Sequence, residues 1–212
     1  MAADMAEDRG LRIVPGFLDA AEQTALVETL SAVIEAAPLY VPAMPKSGRP
    51  FSVRMTNCGP LGWVSDRDGY RYQPTHPGTG RPWPPIPAIA LDAWRALGNY
   101  PHPPQACLVN YYRAGAKLGL HQDRDEEDFS APVVSLSLGD AALFRIGGTS
   151  RKDPTRAVRL SSGDAVVLAG PARLAFHGID RIYPGTSRVL GGLFPEGGRI
   201  NLTLRRVTRP AE

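Results

Sequence analysis

The feature that most constrains this chain is the punctuated character of its C-terminal half. From residue 107 onward, short β-type runs alternate with turns, at 107–112, 118–121, 133–138, 142–146, 165–169, 189–194 and 200–207. Spacing of this kind suggests a β-sandwich or barrel. The 21 prolines and 22 glycines imply many turns and weigh against a helical bundle. The expected fold class is α+β, mainly β: a double-stranded β-helix, or jelly roll, with N-terminal helices packed outside.

The N-terminal half carries those helices. Residues 11–14 read as a short strand, and Asp19 stands three residues before Glu22, a capping-box pair opening a helix. Leu26, Val27, Leu30, Val33 and Ile34 then recur at helical spacing and end before Pro38. A second helix is predicted from about 87 to 97, with Ala90, Trp94 and Leu97 on one face and Gly98 as its stop. Between the helices, 42–85 has no helical period but holds Trp63, Tyr70, Tyr72 and Trp83, and it reads as a functional lid or binding loop.

A length of 212 residues fits one domain, 1–212, with the lid at about 42–85 and the jelly-roll core at about 107–207. The leader, 1–10, carries Asp4, Glu7 and Asp8 and no apolar signal core, and no apolar run reaches the roughly 18 residues of a membrane span. Cys58 and Cys107 lack metal-binding spacing and read as reduced, buried thiols. These features predict a cytoplasmic chain without a membrane partner, expected to act as a monomer. The net charge of +3 is weak evidence for a polyanion partner, since a local stripe matters more than the total.

Chemistry concentrates at three positions. His121 and Asp123 are i and i+2 at a strand end, so both side chains face one point. His177, followed by Gly178, is read as lying just after a strand. Two imidazoles and one carboxylate on a β scaffold form a facial triad with three open positions, which points to non-haem Fe(II) and oxygen chemistry rather than structural zinc. An H-x-D pair alone is common by chance. His76 and His102 sit among prolines without a carboxylate and are read as surface loop residues, and Glu127 and Asp128 as a solvated charged loop.

The last strand separates into two faces, with Ile200, Leu202 and Leu204 on one and Arg199, Asn201, Thr203 and Arg205 on the other. A wet edge strand is the bland alternative. If the polar face points inward, two guanidiniums are costly to bury without anions. A dicarboxylate such as 2-oxoglutarate would satisfy both. Asn110 and Tyr112 share one face of an earlier strand and would add neutral hydrogen bonds.

The run Asn110-Tyr111-Tyr112-Arg113-Ala114-Gly115-Ala116-Lys117-Leu118-Gly119-Leu120-His121-Gln122-Asp123-Arg124-Asp125-Glu126 closely resembles the core motif of the AlkB family. So do Met55 to Trp63, Gly69-Tyr70-Arg71-Tyr72, Gly147-Gly148, Arg151, His177-Gly178-Ile179 and Arg199 to Arg205, in the same order, from about residue 13 to 207. The resemblance implies an Fe(II)- and 2-oxoglutarate-dependent dioxygenase using O2. Its activity would be oxidative dealkylation of bases such as 1-methyladenine and 3-methylcytosine in single- or double-stranded DNA, or RNA, with succinate and an aldehyde released. The alternative is a 2-oxoglutarate oxygenase acting on RNA only, or on protein or small molecules.

Residue by residue, the resemblance assigns Fe(II) to His121, Asp123 and His177. Arg205 would clamp the distal carboxylate of 2-oxoglutarate, while Arg199, Asn110 and Tyr112 hold the end that chelates iron and Asn201 supports the pocket. Trp63 would stack on the flipped base opposite His121. Tyr70 and Tyr72 would contact the nucleic-acid backbone, Arg151 would lie near the substrate, and Asp125 would sit beside the damaged base with Glu126 nearby. Three departures stand out: Tyr111 replaces an Arg of the motif, Leu168 stands where bacterial AlkB carries a Trp, and the 177–199 segment, with Pro184-Gly185 and Gly191-Gly192, is longer. None removes a ligand.

Overall fold

The computed structural model describes residues 10–210, so the polar leader lies outside the described residues. In chain order the elements are β1 (Leu11–Val14), α1 (Ala20–Ala36), β2 (Arg54–Cys58), β3 (Gly62–Asp66), β4 (Gly69–Gln73), α2 (Ala88–Leu97), β5 (Ala106–Tyr112), β6 (Leu118–His121), β7 (Val133–Gly139), β8 (Ala141–Ile146), β9 (Arg156–Leu160), β10 (Ala165–Leu168), β11 (His177–Tyr183) and β12 (Arg199–Arg205). A short 3-10 turn lies at Gly170–Ala172.

Both helices start and stop where the sequence predicts. The Asp19 side chain accepts from Glu22 N and the Glu22 side chain returns the bond, completing the capping box. Gly98 closes α2 in the right-handed region, and the left-handed turn falls on Asn99 (φ 46°) instead.

A six-stranded sheet runs β1-β10-β7-β12-β5-β2 and a four-stranded sheet runs β6-β11-β8-β9. From β5 to β12 the chain crosses repeatedly between the two, which is the jelly roll expected. Strand alternation gives the large sheet two different apolar faces. Val109, Tyr111, Leu136, Ile200 and Leu202 pack beneath Leu26, Leu30 and Trp94 of the helices, while Leu108, Tyr112, Val166 and Leu168 face Phe144, Ile146 and Ile179 of the small sheet. The polar face of β12 therefore opens into the space between the sheets. Cys58 and Cys107 are free, buried and cross-strand partners.

Several sequence expectations are corrected. Residues 42–85 contain strands that were not foreseen: β2 adds an edge to the large sheet, and β3 and β4 form a separate antiparallel hairpin. Residues 189–194 are turns rather than a strand, because Leu190 and Phe194 plug the helix-side core instead of joining a ladder. His177 opens a strand, β11, rather than following one. Among the described residues, no helix is long and apolar enough to cross a membrane.

Candidate metal centre and co-substrate pocket

His121 ends β6, His177 begins β11, and the two are paired across the small sheet with ring centroids 4.5 Å apart. Gly178 permits that approach, since a Cβ there would stand 2.4 Å from Leu118 O. Each Nδ1–H donates to a carbonyl two residues back, His121 to Gly119 O at 3.0 Å and His177 to Ala175 O at 2.9 Å. This fixes the tautomer that leaves both Nε2 lone pairs free. Those nitrogens lie 3.7 and 3.8 Å from the two oxygens of Asp123, and all three ligand atoms fall within 4.8 Å of one another. Asp123 Oδ2 is buried and has no hydrogen-bond partner. The donor set fits a divalent cation with open positions.

Charge around the centre is tuned by burial and by arginine. Burial raises the Asp123 carboxyl, but Arg205, His177, His121 and Arg173 outweigh it and hold the group well below the usual carboxylate range. Burial, reinforced by the neighbouring His121, lowers His177 to about 4 from its ordinary 6.5. As pH falls through that interval, the unfolded chain takes up this proton before the folded one does, so folding stability declines. The metal-free protein is expected to lose melting temperature from about pH 6.5 down to about pH 4. His177→Gln should flatten the profile, and an unchanged slope in that variant would place the titration elsewhere.

The inter-sheet cavity, about 970 Å³, contains the triad and the polar face of β12, a size suited to small-molecule ligands. Arg199 is 0% exposed. Its Nη2 donates to Ser137 Oγ at 2.8 Å, while Nε and Nη1 have no partner, and burial pulls it down to about 10. Tyr112 lies opposite Arg199, and Asn110 opposite Asn201, across the β5–β12 ladder, with Asn110 Oδ1 also unpaired. Asn201 Nδ2 donates to Ser135 Oγ at 2.6 Å and to Leu136 O at 3.1 Å. Arg205 Nη2 donates to Asp123 Oδ1 at 2.9 Å, and its Nε stands 3.5 Å from Glu126 Oε1, an ion pair without hydrogen-bond geometry. Arg205 is thus beside the metal ligand, and Arg199 carries the free donors farther along the strand.

At the mouth, Trp63 Nε1 donates to Asp125 Oδ2 at 2.8 Å, and its ring stacks on exposed Tyr70 with centroids 5.5 Å apart. Arg151 is exposed above the Phe176 ring at 4.8 Å. Two residues expected near the substrate are bonded to each other. The Tyr72 hydroxyl turns inward and donates to Glu126, and Glu126, 6% exposed, also binds Arg173 Nη2 at 3.0 Å. Arg173 was not foreseen. It donates from Nη1 to Asp123 O at 2.7 Å and from Nε to Ala131 O at 2.8 Å. The serines were foreseeable, since Ser135 and Ser137 alternate within an otherwise apolar β7 and lie opposite Thr203 and Asn201. Asp128 is buried rather than solvated, receiving the Tyr100 hydroxyl and Ser130 N. His76 is buried too: Nε2 donates to Pro38 O at 2.8 Å, and Nδ1 accepts from Gly78 and Thr79. Half-buried His102 and buried His76 stand apart from the triad, the metal-ligand cluster found among the described residues.

The departures divide by side. Leu168 lines the cavity. Tyr111 faces away from it, stacking on Phe194 with centroids 3.8 Å apart and donating to Gly197 O at 2.8 Å. Tyr111 and the 177–199 segment therefore pack on each other.

Residues 10–205 match the 2OG-Fe(II) oxygenase superfamily. The chain is 59% identical over 199 residues, 93% of this chain and 87% of the relative, to the alpha-ketoglutarate-dependent dioxygenase AlkB homolog of Caulobacter vibrioides (strain NA1000 / CB15N). It is 44% identical over 171 residues, 79% of this chain and 78% of the relative, to the alpha-ketoglutarate-dependent dioxygenase AlkB of Escherichia coli (strain K12). The solved structure of OsALKBH1 superposes with a TM-score of 0.78 at 32% identity, covering 94% of this chain and 99% of that one. A triad of two imidazoles and a carboxylate, a cavity with buried arginines and these likenesses agree: the chain belongs to the 2OG-Fe(II) oxygenase superfamily and, within it, to the AlkB family of Fe(II)- and 2-oxoglutarate-dependent dioxygenases.

Proposed function

We propose that this dioxygenase oxidatively removes alkyl groups from N-alkylated nucleic-acid bases, such as 1-methyladenine and 3-methylcytosine, in DNA or RNA. The observation that carries the reading is the Trp63–Asp125 pair at the mouth of the cavity that holds the triad. An indole face supplies stacking to any base, and a carboxylate beside it favours the positive charge that these alkylated bases carry. His121, Asp123 and His177 would hold Fe(II), which, when bound, supplies oxidising chemistry coupled to decarboxylation of 2-oxoglutarate by O2.

The protein's own groups do the positioning. Arg199 offers its two unpaired donors to the distal carboxylate of 2-oxoglutarate, with Tyr112 and Asn110 beside it. Arg205 holds Asp123 ionised and oriented. Asn201, tied to Ser135, shapes the wall between them. Tyr70 and Arg151 flank the entrance and would meet the backbone of a strand whose target base is flipped or already unpaired. On this reading residues 1–212 act as one domain, a monomer in the cytoplasm, with the β3–β4 hairpin as its nucleotide lid.

The test is mass spectrometry of a mixed pool of alkylated DNA and RNA oligomers incubated with iron, ascorbate and 2-oxoglutarate. Loss of the alkyl group with matching succinate supports the proposal, and the preferred pool assigns DNA or RNA. Succinate production stimulated by protein extracts but by none of the oligomers would overturn it. Trp63→Ala should weaken oligonucleotide turnover by about 5–150-fold, the equivalent of about 1–3 kcal/mol of lost stacking. Succinate formed without nucleic acid should be unchanged.

A further inference from the structure

Trp63 and Tyr72 are direct cross-strand partners in the β3–β4 hairpin, so their side chains leave the same face. They engage successive carboxylates of the loop that follows Asp123: the Trp63 indole N–H donates to Asp125 and the Tyr72 hydroxyl to Glu126. Glu126 passes the contact inward to Arg173 and Arg205, and both guanidiniums end on Asp123, one at its backbone oxygen and one at Oδ1. Only one carboxylate and one guanidinium separate a lid hydroxyl from a metal ligand. Asp123, Glu126, Arg173 and Arg205 are all buried, where such hydrogen bonds are strong and mutually polarising. Burial of the Tyr72 hydroxyl, with the Glu126 charge beside it, also keeps the phenol protonated and able to donate.

We propose that Tyr72 is a positioning residue, latching the lid hairpin to the metal centre through Glu126 and Arg205, so that lid closure and metal binding stabilise each other. A cation on Asp123 neutralises the charge that holds Arg205 and leaves the two guanidiniums to Glu126. Glu126 is then fixed as the acceptor for Tyr72. Any effect of the metal on the hairpin is returned in full as an effect of the hairpin on metal affinity. The inference rests on the metal reading of the triad and not on which substrate is used.

The experiment is amide hydrogen exchange of residues 62–73 in the full chain, with and without Co(II) as a probe that needs no turnover. In the parent chain, Co(II) should slow hairpin exchange by about fivefold or more. Tyr72→Phe, which keeps the ring, should lose the metal-dependent slowing, and its Co(II) affinity should fall by the same factor. Glu126→Gln, which keeps the shape, should behave alike and stands in if the first variant folds poorly. A role confined to packing would speed exchange equally with and without metal, and that result overturns the latch. So does a parent chain that binds Co(II) with no change at the hairpin. A parent chain that binds no Co(II) overturns the triad reading itself, and the latch with it.

Discussion

Arg199→Met is expected to abolish turnover at ordinary 2-oxoglutarate concentrations while leaving the folded chain no less stable than its parent. Arg199 is fully buried, donates once, to Ser137, and has two unpaired donors and, among the described residues, no carboxylate within ion-pairing distance. Burying such a cation costs free energy, which is why its affinity for protons drops to about 10. Methionine fills a similar volume without charge, and replacing buried ionic groups by well-packed apolar ones is often neutral or stabilising. Against this, losing a desolvated charged partner costs a ligand roughly 2–5 kcal/mol, so the KM for 2-oxoglutarate should rise by about 30-fold to several thousand-fold. Steady-state kinetics beside a thermal melt would check both halves. A variant with unchanged KM would show that Arg199 is not the diacid clamp. The same argument makes 2-oxoglutarate a stabiliser of the parent chain but not of the variant.

Asp123→Ala is expected to fail in both respects at once. It removes the only carboxylate of the triad, so Fe(II) binding and aldehyde release should be lost beyond detection. It also leaves the buried Arg205 without its hydrogen-bonded partner. Breaking a buried pair on one side typically costs about 3–5 kcal/mol, so the melting temperature should drop even in metal-free buffer. The stability that Asp123 contributes is present above its ordinary carboxylate range and is lost on acidification, because its pKa is depressed in the fold. Denaturant titrations at neutral and acid pH would show the parent approaching the variant as pH falls. Activity on methylated oligonucleotide surviving the substitution would remove the metal assignment.

Legibility followed how local the cause was. The alternation of β12 is a property of a single strand, and the closeness of His121 and Asp123 is a property of three successive residues at a strand end, so both were readable. The capping box of α1 is local in the same way. The hairpin was not readable as strands, because its alternation mixes aromatic, charged and glycine residues and its anchors, Asp125 and Glu126, lie more than fifty residues away. An apolar run such as 189–194 looks like a strand when its real task is to plug a core. His76 and Asp128 look like loop residues until Pro38 and Tyr100 arrive from other parts of the chain. The order of the arginines along the cavity was hidden for a related reason. Six residues of spacing say that both face inward, but only the fold says which one meets Asp123.

The opposed faces of β5 separate the effects of neighbouring substitutions. Asn110 and Tyr112 look into the cavity, while Tyr111 between them stacks on Phe194 under the helices. Adjacent letters of one motif therefore serve different ends, one set the cavity and the other the helix-side core. A substitution at 111 should therefore be felt as lost packing against Phe194, and one at 110 or 112 as an altered wall beside Arg199.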